Sequence, residues 1–244
     1  MVGSELKKAV GQFVRQCPSR SRVFERLNID YCCGGQVSLL DACLVRDLEP
    51  EEVLQELLDC PEPSQTLESD DALIDADAMS LTDLADHIQE SHHGYLKAEL
   101  PRLDQMTKKV AGVHGDRNPR LRELREEFVK LRDELEPHMT KEERLIFPII
   151  RQLESEEVCH AEGDTSLAGQ VEELEHEHDQ AGESLAKLRA AAGDFVPPEW
   201  ACNTYRAMLD GLAQLEQDMH QHVHKENNVL FRKARQLETE RSRR

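Results

Sequence analysis

Two His-x-x-x-Glu pairs stand where leucine would be expected. The run Leu121, Leu124, Phe128, Leu131, Leu135, His138, Glu142, Leu145, Ile149 advances in steps of three and four, as does Tyr205, Met208, Leu212, Leu215, Met219, His222, Glu226, Val229. Such spacing keeps side chains on one helical face, so each pair interrupts an apolar stripe. A third stripe, Val171, Leu174, His178, Ala181, Leu185, Leu188, carries a single histidine. An ionised carboxylate in an apolar core is unfavourable by several kcal/mol unless it is paired or metal-bound, and a buried imidazole needs hydrogen-bond partners. Two glutamates and three histidines converging on one core therefore require a shared cation. Four residues of helix rise about 6 Å and return to nearly the same face, so one helix can present both members of a pair inward.

A further helix should supply the last ligand, and it offers His87, His92 and His93. Ile88 plus four reaches His92, whereas the stripe Leu96, Leu100, Leu103 steps back by three to His93; periodicity leaves both open, with His87 behind them. Four histidines and two glutamates exceed the four ligands of a structural zinc site but suit two metals, each taking two histidines and sharing the carboxylates. Imidazole and carboxylate donors with open positions favour iron, with manganese and zinc also compatible by ligand type. The expected centre is two iron ions with an oxo or hydroxo bridge. His114, His160, His176, His220 and His224 lie in a loop or beside the stripes and are expected to face solvent, as are the acidic runs Glu172 to Glu177 and Glu154 to Glu157.

A second chemistry is written in Asp30-Tyr31-Cys32-Cys33-Gly34-Gly35. Neighbouring α-carbons are about 3.8 Å apart, short of the usual disulfide range, so Cys32 and Cys33 would bridge each other only with strain. They suit thiol exchange with an outside partner, or contact with a soft metal. Ser38 reads as the cap of the next helix, and a helix N-terminus aimed at the thiols would lower their pKa. Cys17, Cys43, Cys60, Cys159 and Cys202 show no such pattern.

The elements that must position these residues are helical. With 39% hydrophobic but only 4% aromatic residues and no alternating strand pattern, the chain is expected to be all-α. Short helices opened by Pro18 and Pro50 mark a small N-terminal domain over 1–60, followed by a linker over 61–80 with Pro61, Pro63 and an acidic stretch. Four long helices, over 81–111, 119–153, 167–192 and 198–234, form a bundle within 81–236, before a polar tail over 237–244. Ser80 with Asp83 resembles a capping box, Pro101 should bend the first helix, Glu154 to Ser166 reads as a loop, and Gly193 stops the third helix. A net charge of −19 argues against nucleic acid and anionic membranes, and the absence of a long apolar run or a leader pattern predicts a cytoplasmic protein.

The Asp30 to Gly35 run, His138-Met139-Thr140-Lys141-Glu142-Glu143 ahead of Leu145-Ile146-Phe147-Pro148, and His222-Val223-His224-Lys225-Glu226-Asn227-Asn228-Val229-Leu230-Phe231 together resemble the iron-sulfur cluster repair di-iron proteins. That family, called repair of iron centres, has a hemerythrin-like C-terminal domain, and the resemblance covers nearly the whole chain. Glu177-His178-Asp179-Gln180-Ala181-Gly182-Glu183 resembles its third ligand segment. The resemblance implies the ligands His93, His138, Glu142, His178, His222 and Glu226, with both glutamates bridging. It selects His93 because the family histidine precedes a Leu-Pro by the distance from His93 to Leu100-Pro101. Pro137, directly before His138, departs from the motif. The implied function is protection or restoration of iron-sulfur clusters damaged by oxidants or nitric oxide. With hard and imidazole ligands at one end of the chain and soft thiols at the other, the route expected is iron donation in which Cys32 and Cys33 contact the acceptor or relay the ion. The implied partners are damaged or apo iron-sulfur proteins, with nitric oxide or dioxygen as small ligands and a homodimer as a candidate assembly. Reduction of nitric oxide at the di-iron centre, or sensing of dioxygen or nitric oxide, are the alternatives.

Overall fold

The computed structural model describes residues 2–60, 74–155 and 167–243, and within them the chain is all-α. The expected linker positions 61–73 and loop positions 156–166, with Cys159 and His160, lie outside the described residues. Five short helices come first: α1 (Val2–Glu5), α2 (Val10–Gln16), α3 (Ser21–Arg26), α4 (Leu39–Val45) and α5 (Pro50–Asp59). Four long ones follow: α6 (81–114), α7 (120–155), α8 (Leu167–Ala192) and α9 (203–242). The chain divides into two compact units, one of residues 1–84 with 220–244 and one of residues 85–219.

The first unit is built around Phe13, Phe24, Tyr31, Leu39, Leu54 and Leu57. Tyr31 stacks on Phe24, with ring centroids 6.0 Å apart, and donates its hydroxyl to Glu25 at 2.8 Å. Capping follows the sequence: Ser38 Oγ accepts from the Asp41 amide at 3.1 Å and opens α4, Pro50 sits in the first turn of α5, and Ser80 Oγ accepts from the Asp83 amide at 3.0 Å at the start of α6. Such a cap stabilises its helix by about 1 kcal/mol. The first amides of α2 have no intrahelical acceptor, and two of them find loop carbonyls instead: Val10 N–H donates to Val37 and Gly11 N–H to Gly35, each at 2.9 Å. On α9, the Lys233 ammonium donates to the carbonyls of Asp77 and Met79 at 2.7 and 2.9 Å.

The second unit is a bundle of four helical segments. α7 packs on both α6 and α8. Arg189 on α8 makes a two-pronged ion pair with Glu216 on α9, and α9 approaches α6 closely at Gly211, where a Cβ would fall 2.9 Å from Leu103. The interior is aliphatic, with Leu100, Leu124, Phe128, Leu131, Leu185 and Leu212 buried. Pro101 and Pro137 lie inside α6 and α7, and neither interrupts its helix. Gly193 ends α8 at φ +64°, a left-handed conformation that suits glycine. Two boundaries shift from expectation. α9 begins at Asn203 rather than near Pro198, because residues 198–201 close a turn in which Ala201 N–H donates to Pro198 at 2.8 Å. It also runs on to Ser242, through most of the expected tail.

Candidate metal centre

Three of the long helices contain a π turn: Ile88–His93 in α6, Glu142–Ile146 in α7 and Lys225–Leu230 in α9. Each includes or ends on a glutamate or histidine expected to bind metal. A π turn inserts one residue into the helical repeat, and such bulges occur often at functional sites. The insertion turns the face that follows. Beyond Glu142 the expected stripe of Leu145 and Ile149 gives way to Ile146, Phe147 and Ile150 as the fully buried residues, with Leu145 44% exposed.

In the second unit His93, His138, Glu142 and His178 come together, all buried. Glu142 Oε1 faces His138 Nε2 at 3.3 Å and His178 Nε2 at 4.0 Å, while Oε2 faces His93 Nε2 at 3.4 Å. The Nε2 atoms of His138 and His178 are 2.9 Å apart. The His93 and His138 imidazoles are held from behind. His93 Nδ1 is 2.8 Å from Glu143 Oε1, which also takes the Lys97 ammonium at 2.6 Å. His138 Nδ1 is 2.5 Å from Glu177 Oε2, and Lys141 reaches the other Glu177 oxygen at 3.1 Å. The hydrogen bond to His138 is the main reason the Glu177 carboxyl is pulled down to about 2. Burial pushes Glu143 up, but Lys97 and His93 outweigh it and hold the carboxyl low.

A histidine that gives its Nδ1 proton to a carboxylate keeps the Nε2 lone pair for a metal. A fully buried carboxylate among three imidazole Nε2 atoms, two of them within hydrogen-bond distance of each other, is a donor set that a cation fits. Glu177, read from sequence as part of a solvated face, is thus a partner of His138. Its position directly before His178 was the available signal, as was the position of Glu143 directly after Glu142.

His92, the rival of His93, is also buried, but its Nδ1 lies 2.8 Å from Asp218 Oδ1. A cavity of about 340 Å³ opens beside the site and is lined by Pro137, His138, Lys141, Glu177, His178 and Ala181, among others. Pro137 has no amide to donate to the Asp133 carbonyl one turn back, and Asp133 lines the same cavity.

In the first unit His222 and Glu226 are buried, with His222 Nε2 3.0 Å from Glu226 Oε1. His224, expected to face solvent, is 5% exposed. Its ring packs on Tyr31 at 5.4 Å, its Nδ1 lies 3.2 Å from the Tyr31 carbonyl, and burial lowers its pKa to about 4. The α9 face beside the stripe is covered by residues 11–36, which periodicity along α9 alone could not show.

The same unit holds Cys32 and Cys33 as thiols rather than a disulfide, with Sγ atoms 4.0 Å apart. No helix terminus lowers the Cys32 pKa. Its hydrogen bond with Cys33, its burial and the Asp30 carboxylate all push it up.

Residues 84–234 match a family model described as the hemerythrin HHE cation binding domain, and residues 6–60 match a domain of unknown function (DUF542). The iron-sulfur cluster repair protein YtfE of Dickeya chrysanthemi is 32% identical over 227 residues, covering 93% of this chain and 96% of that protein. The chain belongs to this hemerythrin-domain family. The protein of the same name from Shigella boydii is 33% identical over 225 residues, covering 92% of this chain and 95% of that one. Among the described residues no helix of this family member is long and apolar enough to cross a membrane.

Proposed function

We propose that the chain repairs iron-sulfur clusters by donating iron from a pair of ions held by His93, His138, Glu142, His178, His222 and Glu226. The observation that carries the reading is Glu142. It is one fully buried carboxylate whose two oxygens face different histidines, the arrangement needed for a ligand shared by two ions. His222 and Glu226 supply the remaining donors. In support, the hemerythrin match runs over residues 84–234 and so includes both of them. The same reading divides the chain into an N-terminal thiol domain over 1–60, a linker over 61–80 and a bundle over 81–236, beyond which α9 continues to Ser242.

Iron in such a donor set supplies exchangeable positions and one-electron chemistry. The chain's own residues orient and retain it. Glu143 and Glu177 fix the ring orientation of His93 and His138, and the cavity beside His138 gives the site an opening. Cys32 and Cys33 serve the acceptor side, where a damaged or apo iron-sulfur protein docks. That cavity also favours a second reading, in which nitric oxide enters there and is reduced to nitrous oxide.

Anaerobic metal analysis with Mössbauer spectra tests the first reading. Two irons per chain, with repair of a damaged cluster and no nitrous oxide released, is the expected result. Iron-free protein that repairs equally well would overturn it, and nitrous oxide formed in turnover would favour the second.

A further inference from the structure

Outside the histidine seam, the described residues gather one other set of metal-competent donors. One ligand atom each from Asp30, Cys32 and Cys33 lies within 4.8 Å of the others. Their geometry is close to a chelate. The two Sγ atoms, 4.0 Å apart, are far outside the roughly 2.05 Å of a disulfide. Two thiolates each about 2.3 Å from a tetrahedral ion stand about 3.8 Å from one another. Asp30 Oδ1 is 3.1 Å from Cys32 Sγ. The carboxylate is aimed by the backbone, since the Cys32 amide donates to Oδ1 at 2.9 Å and the Gly34 amide to Oδ2 at 2.8 Å.

The turn carrying these donors is clamped. Asn228 on α9, 3% exposed, donates from Nδ2 to the Cys32 carbonyl at 3.0 Å and accepts at Oδ1 from Gln36 at 3.3 Å. A Cβ at Gly35 would fall 2.5 Å from Asn228 Oδ1 and one at Gly11 2.8 Å from it, so both glycines are needed for this approach. Burial is graded across the donors: Cys32 is buried, Cys33 half-buried and Asp30 exposed. An ion held by these three keeps a fourth position toward solvent, the arrangement of a site that exchanges ligands rather than a closed structural one.

We propose that Asp30, Cys32 and Cys33 form a separate site for one thiophilic divalent cation, with Asn228 as its positioning residue. On binding, two thiol protons pass to solvent and the ion takes two thiolates and one carboxylate oxygen. The site stands on its own geometry. Only the naming of ferrous iron as its natural cargo rests on the iron-donation reading.

The test uses the full chain with iron already in the bundle, titrated anaerobically with cadmium and followed by the ultraviolet thiolate-to-cadmium charge-transfer band. One equivalent should bind. Replacing both Cys32 and Cys33 by serine should abolish the band, D30N should weaken cadmium binding on the order of tenfold, and C202S should change nothing. Iron content and thermal melting, measured on each variant, separate loss of this site from unfolding. A band that survives the double serine variant, or D30N binding equal to the parent, overturns the site. Transfer of iron-57 from the bundle to an apo-acceptor that continues unchanged in the double serine variant, while cadmium binding is lost, leaves the site standing and removes it from iron donation.

Discussion

The two donor clusters differ in how they are supported. In the second unit every imidazole nitrogen near Glu142 is buried, and His93 and His138 are each backed by a carboxylate that is itself tied to a lysine. In the thiol turn of the first unit, support comes from backbone amides and Asn228, and the donors grade outward to solvent. Backed, buried ligands lose little entropy on binding and retain their ion. Partly exposed thiols on a clamped turn suit capture and release. On the proposed iron-donation reading, the chain uses both kinds of site.

The sharpest way to break this contrast is Glu142→Gln, which keeps the shape of the side chain and removes its charge. Iron content at fixed free iron should fall at least about tenfold, equivalent to about 1.4 kcal/mol or more. Retained iron, measured by metal analysis, would show that Glu142 is a satisfied core residue. Replacing both Cys32 and Cys33 by serine should do the converse, leaving iron content intact while cluster restoration falls about tenfold or more in a reconstitution assay. A double variant that also loses iron would mean that the two clusters are not separable.

Glu177→Gln sharpens the role of the backing carboxylates. Outer partners of metal histidines typically contribute about 10- to 100-fold in affinity, so iron should dissociate faster while the melting temperature of the metal-free protein changes little. An unchanged off-rate would return Glu177 to the solvated face.

The smallest effect serves as a control within the bundle. Burial pushes the Asp104 carboxyl up, but Arg125, 2.8 Å away, and Arg132 outweigh it and hold the pKa below the ordinary range. With the folded value depressed, the stabilisation is complete above the unfolded pKa of about 3.9 and is lost as pH falls through the folded value. Asp104→Asn should lower stability slightly at neutral pH and flatten this part of the acid melting curve, with no change in iron content.

Much of the architecture is legible along the chain. The caps at Ser38 and Ser80, the stop at Gly193 and the apolar stripes follow from local chemistry, and all-α content follows from the three- and four-residue periods. The stripes also placed His138, Glu142, His178, His222 and Glu226 at positions that are buried. Where periodicity stumbled, it stumbled at π turns. Ile88 to His93 is a step of five, so the conflict between counting forward to His92 and back to His93 marks the inserted residue itself. The same insertion after Glu142 moved the core face from Leu145 to Ile146.

What the sequence determined by itself is which side chains are polar within an apolar helical face, because that is a one-dimensional pattern with a fixed period. Only the tertiary structure decided that Glu143 and Glu177 back the imidazoles, that His224 is covered, and that Asn228 clamps the turn where Asp30 joins the two thiols. Each of these depends on groups far apart along the chain meeting at hydrogen-bond distance, and no local period encodes such a meeting.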